Sequence, residues 1–285
     1  MFMKDPSTVE KLIPEVTNVQ VIAQGGQKLV FRAQHSKYGE VVLKFILDAS
    51  SDERIKREIE ISTMYKIPNV PVVYDWGYVK DGDDEVLYMT EEYVAGVTLR
   101  RYLNEHGKVS LSIGLGLLEC LLVTAENLEV NRLVHRDIKP ENIMVQENGK
   151  FYLLDFGIAR KLDGPSLTAT HAHFGPHTPG YAAPEQFRNL KKEIDIRADL
   201  FSIGVVVYEA LSGQHPFRNG SSHPLDILRQ SETITPLQFS ILGDSQRQLM
   251  GLIAILMDKF YSRRPKTAKQ ALEWYHALLP TVKVD

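Results

Sequence analysis

His135-Arg136-Asp137-Ile138-Lys139-Pro140-Glu141-Asn142, then Asp155-Phe156-Gly157, then Ala183-Pro184-Glu185, punctuate the centre of the chain. These motifs lie in a loop-rich stretch, 134–186, dense in His, Asp, Pro and Gly. The two sides of that stretch differ in texture. Upstream, short β-branched and aromatic runs at 19–23, 29–33, 41–46, 72–78 and 86–93 alternate with turns such as Gln24-Gly25-Gly26, Tyr38-Gly39 and Asp81-Gly82. That pattern predicts antiparallel hairpins. One helix interrupts the series at about 51–65, with Ser51 or Asp52 as its N-cap and acidic residues in its first turn. From Gly96 onward the apolar spacing turns helical, at 99–105, 111–129, 200–211, 224–230, 245–259 and 267–279.

The architecture read from this pattern is α+β, with a five-stranded antiparallel lobe plus one helix and then a mainly helical lobe. A single domain over 1–285 is expected, with the first lobe at about 15–93, a hinge near 92–96 and the second lobe at about 97–280. A cleft is expected where two such lobes meet, and clefts of that kind usually hold ligands.

Composition narrows the function. The chain has 285 residues, 44% of them hydrophobic, and a net charge of −3. Global disorder is excluded, and bulk charge does not suit a nucleic-acid partner. Cys120 is the one cysteine, so no internal disulfide forms, which fits a reducing compartment. The apolar stretches 113–124 and 203–211 are short and each contains a glutamate. Neither reads as a membrane span of about 20 residues. A soluble, cytoplasmic protein with no membrane partner is expected, with any sensing supplied by partners. Trp76, Trp274 and Cys120 read as core.

The three motifs, in this order, behind a strand lysine and ahead of Asp199 and Arg264, resemble the protein-kinase catalytic domain over about 19–279. Asp-Phe-Gly-Ile-Ala-Arg at 155–160 and Gly-Val-Thr-Leu-Arg at 96–100 look most like the bacterial eukaryote-like (Hanks-type) Ser/Thr kinases. The resemblance implies ATP and Mg²⁺, or Mn²⁺ in its place. It makes Asp137 the group that orients the acceptor hydroxyl and takes its proton. Asn142 and Asp155 become oxygen ligands for the metal, and Lys139 an ammonium near the transferred phosphate. Lys44 would hold the α/β-phosphates, paired with Glu58 on the following helix rather than Glu60. Asp199 would tie down the catalytic-loop backbone, and Glu185 and Arg264 would form a buried ion pair.

Other positions depart from the family pattern. In the phosphate lid, Ala23, Gly25 and Lys28 stand where the family expects glycines, while Gly26 still permits a tight hairpin and Val30 keeps the final position. Lys28 stands where it can add charge near the β/γ-phosphates. In the hinge, the backbone of Glu92 and Val94 would bind adenine. Val30, Val42, Leu43 and Met144 are candidates for its apolar slot, with Val42 replacing a smaller residue. Glu91 falls at a position that is usually apolar or Thr. A lone carboxylate there would be costly, so it pairs with a cation or the cleft is wet at the back. Ser62 is likewise polar where an aliphatic residue is usual, which suggests a loosely held helix that needs activation.

Regulation and specificity are expected between 155 and 185, a long segment without periodicity. Thr168 and Thr170 resemble a paired autophosphorylation site, with the Arg136 guanidinium suited to a phosphothreonine. Thr178, in Thr178-Pro179-Gly180-Tyr181, matches the substrate-docking loop of Ser/Thr kinases. His171, His173 and His177 could hold a metal, although a polar loop is the simpler reading. Protein substrates bearing Ser or Thr, and a transient homodimer for trans-autophosphorylation, are the expected partners. The alternatives are a pseudokinase scaffold that binds nucleotide without efficient transfer and a small-molecule phosphotransferase. The Ala-Pro-Glu segment and the Thr-Pro loop argue against the second.

Overall fold

The computed structural model describes residues 5–24, 28–47, 63–82, 84–155, 160–161, 179–188, 190, 193–218, 220 and 223–284. The chain divides into two compact units, residues 1–66 with 71–95, and residues 67–70 with 96–285.

The first unit opens with α1 (Pro6–Leu12), which the sequence reading missed. Asp5 caps it by accepting the Ser7 N–H, and Pro6 occupies the first turn, where no backbone donor is needed. Five strands follow: β1 (Val16–Gln24), β2 (Lys28–His35), β3 (Gly39–Ile46), β4 (Val73–Asp81) and β5 (Asp84–Glu92). They form an antiparallel sheet in the order β1-β2-β3-β5-β4. Strand alternation sorts the side chains onto two faces. Leu29, Phe31, Leu43 and Phe45 join Val9 of α1 and Ile13 just after it in one apolar core. Leu43, a candidate for the adenine slot, is therefore wholly buried on the face opposite Lys44. The other face carries Val30, Val42, Lys44 and Ile46, with Leu87, Met89 and Glu91 across from them on β5. The expected helix at 51–65 lies almost wholly outside the described residues.

In the second unit, β6 (Val97–Thr98) runs straight into α2 (Leu99–His106), which the Thr98 hydroxyl caps by accepting the Arg101 N–H. Gly96 is required here. Its φ is 143°, and a Cβ would lie 2.3 Å from the Val145 carbonyl oxygen. Then come α3 (Leu111–Val130) and β7 (Leu133–Val134), followed by β8 (Ile143–Val145) and β9 (Phe151–Leu153), and β10 (Arg160–Lys161). The rest is helical: α4 (Pro184–Phe187), α5 (Ile196–Ser212), α6 (Pro224–Thr233), α7 (Gln248–Leu256) and α8 (Ala268–Leu278). Strands β6, β8 and β9 form one small sheet, and β7 and β10 another.

Helix α3 extends the 113–124 run to 20 residues, long and apolar enough on length and composition to cross a membrane. Half of its apolar window is buried, and it packs against α5 and α8. Helix α5 starts four residues before the expected 200, because Asp195 caps it and places Asp199 inside the first turn. Two tryptophans were expected in the core. Trp76 is half-buried against Leu87 and Met89, but Trp274 is 41% exposed on the outer side of α8.

Candidate active site

Asp137 anchors the site. It follows β7 in a loop whose backbone is held from below by α5. The buried Asp199 carboxylate accepts the His135 N–H at 2.7 Å and the Arg136 N–H at 2.8 Å. Burial raises the Asp199 pKa, while the two N–H groups that donate to it pull it back. Arg136 has φ 72°, a left-handed conformation that costs a side-chain-bearing residue about 1–3 kcal/mol. Its carbonyl accepts from the Gln186 amide, so the loop is gripped on both sides. The fully buried His135 ring receives the Asp137 N–H on Nδ1 at 3.3 Å and faces the Leu154 carbonyl through Nε2 at 3.2 Å. A neutral Nε2–H tautomer satisfies both contacts.

The carboxylate of Asp137 is aimed by two neighbours. Lys139 Nζ lies 2.7 Å from Oδ2, and Asn142 Nδ2 donates to the same oxygen and to the Asp137 carbonyl, both at 2.9 Å. A turn of 3₁₀ helix, Pro140–Asn142, brings Asn142 back onto Asp137. With its NH₂ so engaged, Asn142 has its amide oxygen left to accept or to ligate. Asp155 follows β9, and its φ of 58° is again left-handed. Among the described residues no group of three or more His, Cys, Asp or Glu could hold a cation alone. One carboxylate and one amide oxygen instead fit a Mg²⁺ that keeps water and phosphate oxygens in its shell. Met144 sits on β8, between Thr98 and Tyr152.

The first unit holds the other expected residues. Ala23 and Val30 are opposite one another on β1 and β2, Lys28 is opposite Ile46, and Val42, Lys44 and Val30 share a face. Glu92 N donates to the Val72 carbonyl at 2.8 Å where β5 passes into the segment that carries the buried Val94. Lys44 bonds to a carboxylate the motif reading did not assign to it, with Nζ 2.6 Å from Glu91 Oε2. Of the alternatives for Glu91, the paired one is found. Glu58, Gly25, Gly26, Ser62, Thr168, Thr170, Thr178 and the histidines 171, 173 and 177 lie outside the described residues.

A second polar cluster escaped the sequence reading. Arg100, on α2, lies 2.9 Å from Glu141 and 2.9 Å from Glu209, and also meets the Tyr181 hydroxyl, which donates to Glu209 at 2.5 Å. Burial opposes the Arg100 charge, but Glu209 and the other neighbours outweigh it and raise its pKa. Burial, and then Glu209, raise that of Tyr181. The cluster joins α2, the catalytic loop, the segment before α4 and α5. One available signal was Glu209, a charge in the otherwise apolar run 200–211 that needs a partner. The Glu185–Arg264 pair is present and fully buried, with bonds of 2.6 and 3.0 Å. Cys120 is half-buried, and burial pushes its thiol up to about 12, a structural cysteine rather than a nucleophile.

A family model described as "Protein kinase domain" matches residues 16–275. The chain is 35% identical over 239 residues to "Probable serine/threonine-protein kinase PknB" of Bifidobacterium longum, covering 79% of this chain and 34% of that protein. It is 31% identical over 227 residues to "Serine/threonine-protein kinase PrkC" of Bacillus subtilis, covering 76% and 33%. Against "Serine/threonine-protein kinase PknA" of Mycobacterium tuberculosis the identity is 33% over 225 residues, covering 76% and 51%. The chain thus spans between a third and a half of the length of these curated relatives.

Proposed function

The chain belongs to the protein kinase domain family, and from that premise we propose that it transfers the γ-phosphate of ATP to Ser or Thr hydroxyls of proteins. The observation that carries this reading is the Asp137 carboxylate held between Lys139 and Asn142, on a loop pinned to Asp199. Asp137 accepts the proton of the acceptor hydroxyl as its oxygen bonds to the γ-phosphorus. The bond from that phosphorus to the β–γ bridging oxygen breaks, and ADP leaves. Such a transition state is loose, so positioning and charge supply most of the catalysis. Lys139 offsets charge on the transferred group. Lys44, with Glu58 as its expected carboxylate partner, holds the α/β-phosphates.

Asn142 and Asp155 would hold Mg²⁺, or Mn²⁺, and when bound the ion neutralises phosphate charge. Adenine would be read by the backbone of Glu92 and Val94, with Val30, Val42 and Met144 forming its slot. Ala23, Gly25, Gly26 and Lys28 are the residues assigned to contact the phosphates. Thr178 docks the substrate, and Thr168 and Thr170 are the sites of activating autophosphorylation, in trans within a transient homodimer. The setting is cytoplasmic, without membrane or nucleic-acid partners. The scaffold alternative finds no support, since Lys44, Asp137, Asn142 and Asp155 are all present.

Incubation with labelled ATP, Mg²⁺ and a generic protein acceptor is the test. Labelled protein is expected, with phosphate at Thr168 or Thr170 by mass spectrometry. Asp137→Asn should keep the fold by circular dichroism and lower the rate by about 10²–10⁴. Equal labelling by both forms would refute the assignment.

A further inference from the structure

We propose that Glu91 is a positioning residue for the reaction: a carboxylate built into the sheet that holds Lys44 in place for the ATP phosphates. The inference rests on the kinase reading and concerns one ion pair within the first unit. Lys44 and Glu91 are each only 8% exposed, and Nζ lies 2.6 Å from Oε2.

The pairing follows from strand register. Glu91 is opposite Val42 and Lys44 is opposite Met89, so the two charges are diagonal neighbours on one face of adjacent antiparallel strands. Ile46, Leu87 and Met89 form an apolar cluster on that same face. A carboxylate sunk among such side chains is costly alone and is retained when a cation meets it. Both partners stand on β3 and β5, whose backbones are bonded to each other from Val41–Glu92 to Ile46–Leu87. The sheet itself therefore keeps the carboxylate within reach of the ammonium.

This geometry has a chemical consequence. A lysine ammonium has three N–H donors, and one carboxylate oxygen engages one of them. The Glu91 contact restrains a long, flexible side chain that would otherwise sample many rotamers. Ordering a binding group before its ligand arrives reduces the entropy lost on binding. Glu91 thus acts through Lys44, and its effect should be confined to ligands that carry phosphates.

Calorimetric titration of the full chain with Mg-ATP and with adenosine separates the possibilities. The underlying reading is checked first. Wild type should bind Mg-ATP more tightly than adenosine, and Lys44→Ala should erase that difference. If either result fails, the role of Lys44 is wrong and the inference falls with it. With both in hand, Glu91→Gln is expected to weaken Mg-ATP about tenfold and to leave adenosine within twofold. Glu91→Asp keeps the charge one methylene short and should lose less than Glu91→Gln, and it serves as the second variant if the amide does not fold. Similar weakening of both ligands would mean that Glu91 merely supports the sheet and would overturn the proposal. So would unchanged or tighter Mg-ATP binding in Glu91→Gln, or equal losses in the Asp and Gln variants.

Discussion

His215 shows how one residue's surroundings set its protonation. Its ring stands edge-on to Tyr181 at 5.0 Å, and Nδ1 accepts the Phe217 N–H at 3.1 Å. Burial, then the cations Arg218 and Arg100, pull its pKa down from 6.5 to about 3. In the unfolded chain the ring takes up a proton below about pH 6.5, while in the folded chain it stays neutral. The stability it contributes is therefore complete above pH 6.5 and is lost as the pH falls toward 3. Between pH 7 and 5.5 this amounts to about 1 kcal/mol. Urea unfolding at those two pH values should show wild type losing about that much more than His215→Gln. Equal losses would place the acid sensitivity elsewhere. At this scale legibility was uneven. Asp137, Asn142, Asp155 and Lys44 could be proposed from the sequence because the motifs that carry them stand out by their local spacing. The Lys44–Glu91 bond and the His215 environment could not, because they depend on strand register and on chain segments far apart in sequence.

Helix α5 illustrates how an element serves the site. Asp195 caps it, its C-terminus closes at the left-handed Gly213, and 15 of its 17 residues are buried. Among them Gly204 leaves room for its neighbours, since a Cβ there would lie 2.7 Å from the Met257 side chain. Its first turn presents Asp199, favourably placed for a carboxylate near a helix N-terminus. Asp199→Asn keeps the shape but replaces one of the two acceptor oxygens with an NH₂ group. One of the His135 and Arg136 N–H donors is then orphaned, at about 1–3 kcal/mol. With its anchor halved, the left-handed turn at Arg136 relaxes and Asp137 drifts. Steady-state kinetics should show kcat falling about 10²-fold, with a smaller change in KM for ATP. A full-rate variant with a lowered melting temperature would make Asp199 a stability residue only. The five main strands and most helices were legible from periodicity, with ends off by a few residues. Strands β6 to β10, of two or three residues each, lack a period to read, and α1 was missed although Asp5-Pro6 is an ordinary helix start.

Across the second unit, distant segments are joined by buried charges. Arg264 donates to Glu185 at 2.6 and 3.0 Å, to the Arg197 carbonyl at 2.9 Å and to the Asp258 carbonyl at 2.7 Å, and it lies over the Phe201 ring at 4.8 Å. The guanidinium thus ties α4 to α5 and to the loop after α7. This required a planar fork with several donors, which lysine does not have. The motif order suggested the pair, whereas the two carbonyls and the ring contact emerge only from the fold. Removing one partner of such a pair leaves a buried charge uncompensated, at about 3–5 kcal/mol. Arg264→Ala and Glu185→Ala should each lose that much in urea unfolding. Arg264→Lys should recover only a small part, because one ammonium cannot span both carboxylate oxygens and both carbonyls. The double variant Glu185→Leu/Arg264→Met should be more stable than either single alanine change, since it leaves no unpaired buried charge. If the double variant instead loses the sum of the two single effects, the cost lies in packing around Phe201 and the pair contributes little beyond its volume.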